Sequence, residues 1–172
     1  HRALQQFLAD VYWGDLDVLL MDLPPGTGDV AISVAQLLPS AEIVVVTTPQ
    51  QAAAEVAERA GSISAQTHQR VAGVIENMSY YQTPGSDERV YLFGEGGGQA
   101  VCDGLSRTLG TPIPLLGQVP LEVALREGGD RGVPLVIDNP DSEAGKVFAE
   151  MAERIAVELA PTRRYNPALK II

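Results

Sequence analysis

Residues 18–29 read Val-Leu-Leu-Met-Asp-Leu-Pro-Pro-Gly-Thr-Gly-Asp: the apolar run Val18 to Met21 leads into Asp22 and then into a loop of proline and glycine. A continuous apolar run bounded by turn residues predicts a strand covered on both faces, as in parallel sheets. Ligands of open α/β sheets bind outside the carboxyl ends of the strands, which is where Asp22 falls. A hard cation such as Mg²⁺ takes one or two carboxylates together with waters and substrate phosphates, so Asp22 is a candidate Mg²⁺-side residue. Gly26, four residues on, is a candidate for close backbone approach to a phosphate, because no Cβ blocks its N–H. Thr27 and Asp29 share this loop.

Outward from this stretch, helical and strand patterns alternate. Ala3, Leu4, Phe7, Leu8 and Val11 have helical spacing, and Val30 to Leu38 reads as a second helix. Ile43 to Thr47 is a strand pattern stopped by Pro49, and Ala52 to Ala65 repeats apolar residues at helical positions. Val71 to Ile75 is a third strand leading to Asn77. Tyr80 to Gly98 is polar and glycine-rich, with a turn signal at Pro84 and Gly85. Gln99 to Leu109 predicts a helix, Leu115 to Val119 a fourth strand closed by Pro120, and Leu121 to Arg126 a short helix. Asn139 is placed to cap a last helix with Pro140 at its first position and a core face of Ala144, Val147, Phe148, Met151, Ile155 and Leu159. The alternation predicts an α/β fold, a doubly wound and mostly parallel sheet with helices on both faces. Residues 1–160 read as one domain and residues 161–172 as a tail.

Composition narrows the function. The chain has 172 residues and a formal net charge of −10, with 45% hydrophobic and 5% aromatic residues. Beyond the pair Arg163–Arg164 there is no basic cluster, which argues against nucleic acid and anionic membrane surfaces as partners. No apolar run reaches the length of a membrane span, and the first residues lack a signal-peptide layout, so the expected location is cytoplasmic. The single cysteine, Cys102, falls in a helical stretch and reads as a small core residue; this chain alone cannot build a disulfide or a thiolate metal site. His1 and His68 lack ligand spacing. Gly94 to Gly98 reads as a turn before a helix rather than a phosphate cradle, since no Lys or Ser/Thr follows it directly. Tyr80, Tyr81 and Tyr91 read as cover for that loop, with an interface patch as the alternative.

Several separate stretches, in order, resemble one family. They are LLMDLPPGTGDVAISVAQ, VVVTTPQ, ENMSY, FGEGGG and PLLGQVPLE. Together they resemble the Mrp (ApbC) family of iron–sulfur cluster carrier ATPases, relatives of MinD and ParA among the P-loop NTPases. The resemblance runs from about His1 to Leu159. It implies a P-loop NTPase fold, a homodimer with ATP and Mg²⁺ at or near its interface, and assembly or delivery of 4Fe–4S clusters to apo-protein clients. Asp22 matches the Walker B position and Gly26 the switch glycine. Asn77 matches the residue whose amide reads the adenine edge, and Pro120 and Leu121 match the loop lying against the base.

The chain departs from the family pattern twice. The glycine- and lysine-rich phosphate loop is missing from these residues, whose lysines are Lys146 and Lys170. The expected explanation is that the stretch is the C-terminal portion of a longer ATPase and is inactive alone. The Cys-x-x-Cys pair that many members carry between ENMS and FGEGGG is also missing, and its two positions fall on Thr83 and Ser86. Hydroxyls do not hold iron as thiolates do. A cluster-free, nucleotide-gated adaptor or partitioning-type ATPase is therefore the alternative to a carrier.

Overall fold

The computed structural model describes residues 2–24, 29–50, 52, 63–83 and 85–158. Its elements are α1 (Arg2–Asp10), α2 (Asp29–Leu37), β1 (Ile43–Thr47), β2 (Val71–Glu76), β3 (Tyr81–Gln82), β4 (Arg89–Val90), α3 (Gly97–Leu109), β5 (Leu115–Gln118), α4 (Val123–Arg131), α5 (Leu135–Asp138) and α6 (Glu143–Glu158). Residues 63–67 are also helical, the last turn of the helix expected over Ala52 to Ala65, most of which lies outside the described residues.

The α/β class is observed. Strands β1, β2 and β5 form a parallel sheet in the order β1–β2–β5. β2 is central because its run Val71–Ala72–Gly73–Val74 is buried on both faces, as a strand with two neighbours and two covers must be. The core gathers Val45, Val71, Val74, Val101, Cys102, Leu105 and Ile113, which seats α3 on the sheet. Two glycines allow close packing. A Cβ on Gly73 would lie 2.5 Å from Leu116 Cγ, and one on Gly117 would lie 2.5 Å from Met151 Sδ on α6. Ala144 and Met151 are buried and Val147, Phe148 and Ile155 half-buried, so the expected core face of the last helix is borne out; Leu159 lies outside the described residues.

Three expectations are corrected. The run Val18 to Met21 is not a strand: residues 18–24 have no regular structure, Val18 is 62% and Leu20 82% exposed, and no strand pairs with them among the described residues. A strand exists only through its ladder, and apolar sequence cannot replace the missing neighbour. Asn139 does not cap the last helix. It follows α5, a short helix that was not anticipated, and donates its backbone N–H to Leu135 O. Ser142 caps α6 instead, its Oγ accepting from Gly145 N at 3.0 Å, so the helix starts one turn later. The short helix expected at Leu121 begins at Val123, leaving Pro120 and Leu121 in the loop before it. The polar stretch after Tyr80 holds a small antiparallel hairpin, β3 with β4, whose turn contains Thr83, Gly85 and Ser86.

Candidate functional site at the carboxyl ends of β2 and β5

The three parallel strands end at Thr47, Glu76 and Gln118, and the backbone keeps bonding past those ends. Asn77 N donates to Thr47 O at 2.7 Å, and Val119 N to Glu76 O at 2.8 Å. Ser79 N donates to Val119 O at 2.9 Å, and Leu121 N to Tyr80 O at 2.7 Å. Asn77 and the Pro120–Leu121 loop therefore sit on neighbouring chain segments tied by main-chain bonds. The tie passes on into the hairpin, because Tyr81 bridges Leu121 in parallel.

The Asn77–Met78 turn is tight. Asn77 Oδ1 accepts from Met78 N at 2.9 Å, and Met78 takes a φ of 56°, a left-handed conformation that a side chain adopts at a cost. Use of Oδ1 inside the turn leaves the Asn77 Nδ2 donor without a partner among the described residues. Pro120 is buried and Leu121 half-buried. A cleft of about 390 Å³ is lined by Pro120 and Leu121 together with hairpin residues Thr83, Gly85 and Ser86, and Asn77 is not among its lining residues.

Sequence reasoning passed over the residue beneath this site. Glu76 is 1% exposed, yet its carboxylate is fully engaged. Oε1 accepts from Ser79 Oγ and, at 2.8 Å, from Gln118 Nε2; Oε2 accepts from Gly98 N at 2.5 Å. Gly98 lies in the first turn of α3, where unsatisfied N–H groups and the helix dipole favour a carboxylate. The signal was present: an acid closing an apolar strand pattern must find buried donors. The glycines of FGEGGG answer the same packing. A Cβ on Gly97 would lie 2.4 Å from Pro49 O, and one on Gly98 2.8 Å from Glu76 Cβ. Gly94 and Gly96 hold φ of 89° and 81°, so the stretch is a turn into a helix, as expected, built by close approach and left-handed backbone.

The hairpin is latched to α6. Tyr80 OH donates to Glu143 Oε1 at 3.1 Å, Arg89 Nη2 reaches the same oxygen at 3.3 Å, and the Arg89 guanidinium lies 4.1 Å from the Tyr80 ring centre. Burial pushes the Tyr80 phenol up to about 12, Arg89 opposing and Glu143 adding to the rise. Tyr80 and Tyr91 meet edge to face at 6.4 Å, and Tyr91 O accepts from Gly94 N, which ties Tyr91 to the glycine loop although its ring is exposed.

The remaining candidates are not gathered here. Asp22 is exposed in the irregular stretch between α1 and α2, and no hydrogen bond or ion pair among the described residues joins it to the sheet. Gly26 and Thr27 lie outside the described residues. Thr83 and Ser86 are exposed at the hairpin turn, with Ser86 N donating to Thr83 O at 3.0 Å. Cys102 is 1% exposed in the core, and burial pushes its thiol up to about 11. Among the described residues no group of three or more His, Cys, Asp or Glu could hold a metal ion, and no helix is long and apolar enough to cross a membrane.

Comparison with known proteins identifies the family of the chain. A family model described as ParA, NUBPL iron-transfer P-loop NTPase, matches residues 1–156. The iron-sulfur cluster carrier protein of Mycobacterium tuberculosis is 61% identical over 174 residues, covering 95% of this chain and 45% of that protein. The protein of the same name from Mycobacterium leprae is 64% identical over 156 residues, covering 91% of this chain and 40% of that one. The chain thus spans less than half the length of these relatives. Among solved structures, a nucleotide-binding protein from Archaeoglobus fulgidus in complex with ADP is 40% identical, with a TM-score of 0.63 over 76% of this chain and 51% of that chain.

Proposed function

The chain belongs to the ParA family of NUBPL iron-transfer P-loop NTPases, and from that premise we propose that it is the base-side and Mg²⁺-side part of an ATP-hydrolysing iron–sulfur cluster carrier. The observation that carries this reading is the bonded pair of loops after β2 and β5, which sets Asn77 beside Pro120–Leu121 at the carboxyl edge of a parallel sheet. In this reading Asn77 presents its amide to the adenine edge and Pro120 with Leu121 forms the apolar wall against the base. The solved ADP complex of a 40% identical relative supports nucleotide binding on this fold.

Asp22 fits Mg²⁺ by donor chemistry. It is an exposed carboxylate, and a nucleotide-bound Mg²⁺ needs only one or two protein oxygens beside waters and phosphates. When bound, the ion neutralises phosphate charge. Gly26 lends its N–H to the terminal phosphate. The full-length protein works as a cytoplasmic homodimer and passes 4Fe–4S clusters to apo-protein clients. Asp22→Ala in the full-length protein abolishes Mg²⁺-dependent ATP hydrolysis while leaving the far-ultraviolet spectrum unchanged; turnover at the wild-type rate in that variant sinks the assignment. The 172-residue chain alone has no glycine-loop lysine, so calorimetry on it finds no micromolar ATP binding.

A second reading, the cluster-free adaptor, is favoured by one observation. The hairpin turn holds Thr83 and Ser86 where a thiolate pair is expected, and the one cysteine is sealed in the core. Anaerobic reconstitution of the full-length protein separates the two. Iron retained by the natural protein supports the carrier through thiolates beyond this stretch. Iron retained only after Thr83→Cys with Ser86→Cys supports the adaptor.

A further inference from the structure

The most deeply buried acid of the sheet, Glu76, has no role in the reading above, although it lies directly beneath both halves of the base site. Its carboxylate is held from three elements at once. Ser79, just past the Asn77–Met78 turn, donates to Oε1. Gln118, the last residue of β5, donates to the same oxygen at 2.8 Å and to Ser79 Oγ at 3.2 Å. Gly98 N, at the start of α3, donates to Oε2 at 2.5 Å. The residues that follow those donors or flank them are Asn77 on one side and Val119–Pro120–Leu121 on the other.

We propose that Glu76 is the positioning residue of the base site, clamping Ser79 and Gln118 so that Asn77 and the Pro120–Leu121 loop are held at the spacing that selects adenine. This rests on the base-site reading above. Each arm of the clamp has a separate consequence. The Ser79 arm closes the turn that holds Met78 at a φ of 56°, and with it the Asn77 side chain whose Oδ1 is committed to Met78 N. A left-handed residue with a side chain persists only where its surroundings over-determine it. The Gln118 arm sets the exit of β5 immediately before Pro120. The Gly98 arm ties both to α3 and gives the second carboxylate oxygen a donor in a buried setting, where one unsatisfied group is costly. Glu76 and Ser79 are buried and so act through the residues they hold; Pro120 and Leu121 line the cleft, and Asn77 does not.

Calorimetric affinities for ADP and GDP in the full-length protein test this. Wild-type protein prefers ADP. Glu76→Gln keeps the shape and an acceptor for Gly98 N, but turns an NH₂ toward the Gln118 amide. It weakens ADP binding by about fivefold, the worth of one hydrogen bond, and leaves GDP binding within twofold. Ser79→Ala, which keeps the buried carboxylate with two donors, does the same and covers the case in which Glu76→Gln does not fold. Glu76→Gln combined with Gln118→Glu restores one amide–carboxylate pair with the polarity reversed, and returns the ADP preference. Equal loss of ADP and GDP affinity in Ser79→Ala, or unchanged ADP preference in both single variants, overturns the proposal while the base site stands. Wild-type protein that binds ADP and GDP equally overturns the base site and the proposal with it.

Discussion

The runs Val18–Met21 and Val71–Ile75 are alike on paper and opposite in the molecule. Val71 to Val74 are all buried and β2 pairs on both edges, whereas Leu20 is 82% exposed and residues 18–24 lie in no ladder. The same contrast extends to their surroundings. The N-terminal part from α1 to α2 exposes Phe7, Tyr12, Leu16, Val18 and Leu20, with Phe7 and Trp13 edge to face at 5.0 Å, and buries only Val34 and Ala35 of α2 among its described apolar residues. The part from β1 to α6 gathers Val45, Val71, Val74, Val101, Leu105 and Ile113 into one core against the sheet, while Val46, Leu92, Val123 and Ile137 stay exposed at its surface. Hydrophobicity supplies the drive to be covered, and only a partner with matching shape covers it.

Four experiments test that contrast, in falling order of effect. Leu105→Ala empties a site 1% exposed beneath α3 and lowers unfolding free energy by about 3 kcal/mol in urea titration; a loss below 1 kcal/mol means that the sheet core is looser than drawn. Gly97→Ala pushes a methyl against the Pro49 backbone, which cannot rotate aside, and costs about 2 kcal/mol. An unaffected variant breaks the claim that the glycine run is packed rather than free. The Tyr80 phenol, raised from 10.0 to about 12 by burial, holds its proton more tightly folded than unfolded. Its share of stability is therefore intact below pH 10 and is lost as pH rises from 10 toward 12, on the order of 1 to 2 kcal/mol. Wild-type and Tyr80→Phe proteins compared by denaturation across that window diverge with this sign. Leu20→Ala, on the exposed side of the contrast, changes stability by less than about 0.5 kcal/mol.

Much of the sheet half was legible because each element carried its own signal. β1, β2 and β5 fall on the apolar runs ended by Pro49, Asn77 and Pro120, and α3 runs to Leu109 as its spacing predicts. Cys102 lies in the core, as a lone apolar thiol in a helix should. Boundaries shifted where a local cue competed with another: Asn139 and Ser142 are both good caps, but Asn139 closes α5, and Ser142, next to the start of α6, caps that helix. Asn77 and Pro120 were legible as strand ends, and their base-side role, with that of Leu121, came from the family resemblance, while Glu76 was missed because a charged residue in an apolar run reads as a strand terminus until its three donors are seen.

By itself the sequence determined the α/β alternation, the family, and the absence from these 172 residues of a glycine-loop lysine and of a hairpin thiolate pair. Those are properties of residue type and spacing along one chain. The tertiary structure decided which apolar runs become strands, which cap starts α6, and which donors meet the Glu76 carboxylate. Ladders, helix starts and buried hydrogen bonds each need a second group brought from elsewhere in the chain, and spacing along the sequence does not contain that distance.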